Sequence, residues 1–546
     1  MSRCAAFQHG HRLNLPACPM TIDNVNRRRN LGFFFDQSVA RAADKVAIID
    51  LFGGKERRAT YRQLDARMSA VAGMLARLGV VPGERVAMVI GNRTEFLEFF
   101  FGSMRAGAIP LPLNIRLAAP TLAQIIADAR CVLAVVDPSS HRDALAIAKR
   151  SPLRQRLILD QAAEGFLSFE EELAKPALPV EPPAIADGAQ AFQPYTSGST
   201  GRPKGAVMTH RGMLWYVAYN QRYWPSAETD RGLIALPLFH KNALRGTVKP
   251  MLYAGGSFVL MPHYEPRAYL DALAKYKCTF SRGVAAVFTM FLQHRDYLRS
   301  LDLSALRGMT IGSAVVTPEL MDAVERALPH VKVSESYGLT EGGSPLRPPV
   351  DGRPVPRGSP GVPAPEIELR LVDAHGTDSI EEGELLIRCP YVCLGYYNEP
   401  EITRAKLTDG WLHTGDIFSK DQDGFFYFRS RVDDMFSCGG ENVYPKEVEN
   451  LLFAHPDVVN AVVAPVPHAV KGLVPAAMVV LREGASVSAD GLKAYCLDKG
   501  AAYAHPRFVQ IVDALPLNGA GKIDRRIAQA KLAAAYAGNI GEKVSV

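Results

Sequence analysis

Thr60 and Gln63 stand three apart as a capping box, and behind them Leu64, Met68, Val71, Leu75 and Leu78 recur at steps of three and four until Gly79. That spacing predicts one amphipathic helix. Apolar runs over residues 85–90 and after Gly107 flank a helix-like stretch over 94–105, the strand–helix–strand alternation of a parallel sheet. The larger part of the chain therefore reads as layered α/β. Pro176, Pro179, Pro182 and Pro183 interrupt either kind of element, so residues 175–183 are a connector.

Beyond Arg431 the texture changes. Pro445 opens a helix with Val448, Leu451 and Leu452 inward, and short strands over 458–463 and 477–481 alternate with a helix near 492–497. This predicts a small α+β domain whose boundary is the polar run Ser430-Arg431-Val432-Asp433-Asp434. The expected division is a disordered N-terminal extension over 1–30, a large domain over 31–432 and a small one over 433–546. No internal repeat is present.

Length and charge narrow the class. At about 100–200 residues per domain, 546 residues exceed one hydrophobic core. The excess of 62 Lys+Arg over 56 Asp+Glu, a net +6 without a long basic block, argues against nucleic acid or an anionic membrane as partner. Apolar runs such as 131–136 fall far short of the roughly 18 residues that span a bilayer. Cys389 and Cys393 are the one close pair among eight cysteines, with no second pair or histidine at zinc-ligand spacing, which fits reduced thiols in the cytoplasm. Residues 1–19 hold no apolar core of signal-peptide length and no helical period, so a mobile, dispensable tail is expected.

The densest chemistry lies in Tyr195-Thr196-Ser197-Gly198-Ser199-Thr200-Gly201-Arg202-Pro203-Lys204-Gly205. Four hydroxyls, three glycines and a lysine here make a loop that can wrap polyphosphate, because glycine lets backbone N–H groups approach phosphate oxygens and lysine supplies charge. It is not a Walker A loop, since Lys204 is followed by Gly205 rather than Ser or Thr. A Ser/Gly-rich linker is the bland alternative, but linkers rarely end in Arg-Pro-Lys-Gly.

With Tyr337-Gly338-Leu339-Thr340-Glu341, Trp411-Leu412-His413-Thr414-Gly415-Asp416, Arg431-Val432-Asp433-Asp434 with Gly439-Gly440-Glu441-Asn442, and Leu515-Pro516-Leu517-Asn518-Gly519-Ala520-Gly521-Lys522 following in order, the sequence resembles the adenylate-forming superfamily. That superfamily contains acyl-CoA synthetases, firefly luciferase and the adenylation domains of peptide synthetases. The resemblance spans roughly residues 35 to 530. It implies a large layered α/β adenylation domain binding ATP and the acyl group, and a small mobile α+β C-terminal domain with its hinge at Asp433. It also implies a reaction: a carboxylate and ATP give acyl-AMP and pyrophosphate, and CoA then displaces AMP. Hydroxide is a poor leaving group, so activation must precede thioester formation.

The resemblance assigns residues as well. Thr196, Ser197, Gly198, Ser199, Thr200, Gly201 and Lys204 would cradle the β- and γ-phosphates. Thr340 and the Mg²⁺ ligand Glu341 would sit near the α-phosphate. Tyr337 and Gly338 would meet adenine beside the backbone of Gly312, Ser313 and Ala314, a core tyrosine being the competing account. Asp416 would hold both ribose hydroxyls, a helix cap being its alternative, and Arg431 would contact the ribose and phosphate side. Lys522 would bridge substrate carboxylate and α-phosphate where two anions meet. Ser430 replaces a frequent glycine, Phe436-Ser437 a frequent Ile-Lys, and His505-Pro506-Arg507 a frequent Lys-Val-Pro-Arg; none removes a group the adenylation chemistry needs.

Phe239 and His240 resemble the family's aromatic–histidine pair at the acyl site and thiol tunnel, with His240 among the catalytic candidates. Ala243 stands where glycine is frequent, and its methyl would narrow the channel. Arg245 and Lys241 are nearby, either as helix-face charges or as partners for a second carboxylate or polar ring substituent. The leading expectation is an AMP-forming acyl-CoA synthetase using ATP, Mg²⁺ and CoA on an aromatic or short-to-medium-chain acid. A homodimer is left open. An enzyme loading a carrier protein is disfavoured because no carrier domain precedes Val546, and an idle binding homologue because Lys522, Glu341 and Asp416 are all retained. A luciferase-like oxygenase is the rarer alternative.

Overall fold

The structure is a computed structural model describing residues 25–176, 181–186, 188–197, 203–312, 316, 318–373, 375–432, 434–438, 441–468, 471–501, 503–518 and 522–543. Thr60 caps the helix Tyr61–Arg77 through the reciprocal box: Gln63 N donates to Thr60 Oγ1 at 3.2 Å and Thr60 N to Gln63 Oε1 at 2.9 Å. The helix Thr94–Arg105 is buried at every residue, as befits a helix apolar on most of its circumference. The two helices touch through Gly102, where a Cβ would fall 2.6 Å from Val71 Cβ and 2.7 Å from Met68 O.

A five-stranded sheet runs in the order Ile109–Pro112, Arg85–Val89, Leu133–Val136, Gln155–Ile158, Leu167–Ser168, every pairing parallel. A seven-stranded sheet runs Lys332–Ser336, Gly308–Gly312, Phe280–Gly283, Arg231–Ile234, Ser257–Leu260, Val46–Asp50, Arg57–Thr60; only its last pairing is antiparallel. An antiparallel sheet holds Glu368–Val372, Glu382–Arg388, Trp411–Lys420 and Phe426–Arg431. The chain leaves that sheet at Arg431 and enters a C-terminal sheet at Phe436, which the helices Pro445–Phe453, Ala489–Lys499 and Arg525–Lys543 accompany. The architecture is thus the mixed α/β arrangement of a large and a small part.

Two expectations change. Residues 25–30 are ordered rather than part of a disordered extension: Val25–Arg29 is a helix, and buried Asn30 donates from Nδ2 to Met104 O at 2.6 Å while its Oδ1 accepts from Gly32 N at 2.8 Å. Arg27 adds an ion pair with Asp36 at 2.7 Å and lies over the Phe33 ring at 4.4 Å. The dispensable tail over 1–19 lies outside the described residues. The C-terminal hairpin is also longer than expected, Val458–His468 against Gly472–Leu481. Prolines lie within it, Pro465 opposite Pro475, so two residues without an N–H face each other. Among the described residues, no helix is long and apolar enough to cross a membrane.

Candidate active site

The segments singled out by motif converge beyond the carboxyl ends of the seven-stranded sheet, where open α/β sheets place ligands. Gly312 ends one strand and Tyr337 follows its neighbour, with Gly312 in register with Ser336. A Cβ on Gly312 would collide with the Ser336 hydroxyl and the Ser336 carbonyl oxygen, so close strand approach requires glycine there. Gly312→Ala is expected to destabilise the chain by about 1–3 kcal/mol, seen as a lower urea midpoint. Adding Ser336→Ala removes only the hydroxyl contact, so the double variant stays destabilised; full recovery would refute the backbone clash. Ser313 and Ala314 lie outside the described residues.

Asp416 and Arg431 are cross-strand partners in the antiparallel sheet, and their side chains meet, Arg431 Nη1 to Asp416 Oδ1 at 2.8 Å. The second oxygen, Oδ2, accepts from Tyr337 OH at 2.5 Å. Burial pushes the Asp416 carboxyl up, and Arg431 with the Tyr337 bond opposes it. The Tyr337 phenol is raised by burial and by facing Asp416, and its ring meets Phe418 edge-on at 4.7 Å. Gly415 adopts φ +72°, in the left-handed region, and a Cβ there would lie 3.1 Å from both Arg431 Nη2 and Lys406 Nζ. Glu384 fixes this irregular point of the strand, accepting from Gly415 N at 2.8 Å and contacting His413 Nδ1 at 2.9 Å.

The glycine-rich loop begins and ends as a hairpin, Tyr195–Ser197 against Pro203–Gly205, with Thr196 opposite Lys204. Gly198, Ser199, Thr200 and Gly201 lie outside the described residues, as does the side chain of Ser197. Thr196 reaches the second motif: its Oγ1 donates to Glu341 Oε1 at 3.4 Å, and Tyr396 OH donates to the same oxygen at 3.0 Å. Glu341 is buried, and Thr340 and Gly338 are half-buried in the segment before it.

Lys522 comes from the C-terminal part, at the end of a loop closed by Asn518 N donating to Lys522 O at 2.7 Å and Lys522 N to Asn518 Oδ1 at 3.1 Å. Its side chain is reached by solvent but hemmed in by protein: desolvation lowers its pKa, Asp416 opposes that, and Arg431 adds to it. It also acts on His240, which burial, Lys522 and Arg116 together pull down to about 4, leaving the imidazole neutral at pH 7. His240 Nε2 is buried with no hydrogen-bond partner among the described residues, and its ring lies 4.7 Å from that of Phe239. A cation from the small part is therefore within electrostatic reach of both the Asp416–Arg431 pair and the acyl-side histidine.

Phe239 and Ala243 are buried beside that histidine. Arg245 is buried too, in a π-helical turn Leu244–Val248, so it is not a solvated helix-face charge. The side chain of Lys241 and the whole of Asp433 lie outside the described residues. Sequence inspection missed Tyr396, Lys406, Glu384, Arg116 and a group of cations around Arg245. None of these carries a spacing signal; each is brought in by the fold.

The sequence profile of the AMP-binding enzyme family matches residues 35–397, and that of the AMP-binding enzyme C-terminal domain matches 447–522. The chain belongs to the AMP-binding enzyme family. It is 36% identical over 471 residues to a feruloyl-CoA synthase of an Amycolatopsis species, covering 85% of this chain and 92% of that enzyme. It is 34% identical over 481 residues to an indoleacetate–CoA ligase of Aromatoleum aromaticum, covering 86% and 92% respectively. Among solved structures it is similar to the anthranilate CoA ligase AuaEII in complex with anthranoyl-AMP, with TM-score 0.84 at 28% identity, over 93% of this chain and 98% of that one. The mixed α/β fold of this AMP-binding enzyme is the one its sequence motifs imply.

Proposed function

We propose that this AMP-binding enzyme activates an aromatic carboxylic acid with ATP, forming acyl-AMP and pyrophosphate, and passes the acyl group to CoA. The observation that carries the proposal is that Lys522, Asp416, Arg431 and His240, from three parts of the chain, come within electrostatic reach of one another. Likeness to feruloyl-CoA synthase and indoleacetate–CoA ligase supports CoA as acceptor and an aromatic acid as substrate.

In this mechanism Asp416 accepts both ribose hydroxyls, since a carboxylate has spare lone pairs beyond those Arg431 and Tyr337 use. Tyr337, Gly338, Gly312 and the two residues that follow it in sequence, Ser313 and Ala314, border adenine. Thr196, Ser197, Gly198, Ser199, Thr200, Gly201 and Lys204 hold the terminal phosphates. Thr340 donates near the α-phosphate. Lys522 supplies positive charge between the incoming carboxylate and that phosphate, stabilising the oxyanions that develop as they meet. Neutral His240 lines the acyl side with Phe239 and Ala243.

Glu341 fits Mg²⁺ by its chemistry. It is a hard oxygen donor, the kind of ligand Mg²⁺ takes from a protein while phosphate oxygens and water complete its shell. When bound, the ion would neutralise phosphate charge. In sequence Asp433 falls between the strands Phe426–Arg431 and Phe436–Cys438, and rotation there would take Lys522 away from the ATP site for thiol attack.

Pyrophosphate release across a panel of aromatic and aliphatic acids, with CoA or hydroxylamine as acceptor, tests this. Release with aromatic acids and acyl-CoA as the product is expected. Hydroxamate without acyl-CoA would remove CoA from the proposal, and preference for aliphatic acids would remove the aromatic substrate.

A further inference from the structure

Four cations gather next to the acyl side of the cleft. Arg245 is 8% exposed and Lys249 3%, on the turn Leu244–Val248 and the helix Lys249–Ala254 that continues it. Arg282 comes from the strand Phe280–Gly283 and Arg347 from Leu346–Arg347. They share one volume: a Cβ on Gly246 would lie 2.7 Å from Arg282 Cδ, and one on Gly338 would lie 2.9 Å from Arg245 Nη1. Arg245 thus reaches the segment Tyr337–Glu341, two residues after Ala243 of the acyl wall.

Among the described residues, none of the four forms an ion pair with a carboxylate. Arg245 Nη1 and Arg282 Nε are buried without any hydrogen-bond partner. Arg347 donates to Asn220 Oδ1 at 3.0 Å and lies over the Trp224 ring at 4.0 Å. Lys249 has Met213 Sδ at 3.7 Å. Neutral partners do not offset buried charge, and burying several unpaired cations together is among the costliest arrangements a fold can hold. Deprotonation relieves only part of it. Burial brings Lys249 down to about 7 and Arg282 to about 10, which leaves the guanidinium charged at pH 7. Tyr216 registers the field: burial alone pushes its phenol up, yet Arg245 and Arg347, with bonds to Asn220 and Ser344, bring it below its usual value. One phenolate would still leave most of the charge unmet.

The group the cluster lacks is an anion. We propose that it is the distal subsite of the acyl pocket, and that the acid this enzyme activates carries a second anionic group (carboxylate, sulfonate or phosphate) remote from the reacting carboxylate. The subsite has aromatic surroundings, Tyr216 and Tyr391 with ring centroids 4.7 Å apart, which suit an aryl body between the two acidic groups. Guanidinium groups bind such anions through paired, directional hydrogen bonds. A neutral acid of the same shape would leave the orphaned Arg245 and Arg282 nitrogens unmet, the arrangement that gives the strongest discrimination against an analogue lacking a polar group.

This inference rests on the acid-activation proposal, and the experiment separates the two. Pyrophosphate release is measured for matched pairs, such as 4-carboxycinnamate against 4-methylcinnamate and 4-sulfobenzoate against 4-methylbenzoate, alongside the melting temperature with each acid and with sodium sulfate or phosphate alone. The expected result is a kcat/KM at least about 30-fold higher for the doubly charged member. In Arg245→Met and Arg282→Met that ratio falls at least about tenfold, and Arg245→Lys recovers part of it. The unliganded Met variants melt at or above the wild-type temperature, since each removes an unpaired buried cation. Equal turnover of neutral and charged acids overturns the inference and leaves acid activation standing. Stabilisation by the diacids that depends on Arg245, without pyrophosphate release from any acid, leaves the subsite standing and removes the activity. Stabilisation by inorganic sulfate or phosphate equal to that by the diacids, without substrate preference, overturns the inference in favour of a free-ion site.

Discussion

Lys522→Ala is expected to slow acyl-AMP formation by about 10²–10³-fold, the loss typical when one preorganised donor to a developing oxyanion is removed, while CoA transfer from preformed acyl-AMP keeps most of its rate. The difference arises from charge. In the first half-reaction a carboxylate must approach a phosphate, and the ammonium brought in by the C-terminal part faces both the Asp416–Arg431 pair and the acyl-side His240. In the second, a thiol attacks a neutral carbonyl carbon and no such encounter occurs. Desolvation and Arg431 weaken the ammonium's hold on its proton, and Asp416 opposes that shift. Pyrophosphate exchange reports the first step and AMP release from synthetic acyl-AMP with CoA the second. Equal losses in both would count against an adenylation-specific lysine.

Elements whose own sequence carries a period or a cap were legible in advance. The helix after Thr60 began and was capped as its Thr/Gln spacing requires, and residues 94–105 formed the helix their pattern suggested. Contacts between distant segments were not legible. Residues 1–30 read as a disordered extension, yet Val25–Arg29 is a helix and Asn30 is buried against Met104. The C-terminal strands read as short, yet they pair from Val458 to His468 with Pro465 opposite Pro475. Both outcomes depend on contacts distant in sequence, which no local pattern encodes.

Site residues divide the same way. Those within contiguous motifs, such as Tyr337, Glu341 and Asp416, were identifiable from their neighbours, and the structure brings Tyr337 to Asp416 and Thr196 to Glu341. Tyr396 and Glu384, which bond Glu341 and the strand at Gly415, come from segments with no motif at all. Arg245 was visible as a charge near the acyl segment, but a charged side chain on a helix is ordinarily solvated. Only packing shows that Arg245, Lys249, Arg282 and Arg347, spread over about a hundred residues of chain, come within reach of one another's charge, the first two buried and the last two half-buried.

Asp416→Ala is expected to lower kcat/KM for ATP by about 10²–10⁴-fold. Each hydrogen bond from a ribose hydroxyl to a buried carboxylate contributes about 1.5–3 kcal/mol, and the proposed role assigns two. The loss has a structural component as well, because Arg431 Nη1 at 2.8 Å and Tyr337 OH at 2.5 Å both lose their acceptor. Comparing ATP with 2′-deoxy-ATP separates the components. In the wild type the missing hydroxyl costs one charged hydrogen bond, about tenfold to 150-fold in kcat/KM. In Asp416→Ala there is no carboxylate to lose, so the two nucleotides should react with nearly equal kcat/KM, whatever the variant has lost through Arg431 and Tyr337. Tyr337→Phe is the complementary control: it frees one lone pair on Asp416 Oδ2 and leaves the carboxylate in place, so discrimination between the nucleotides persists. If the deoxy penalty is the same in Asp416→Ala as in the wild type, Asp416 positions the strand but does not hold the ribose.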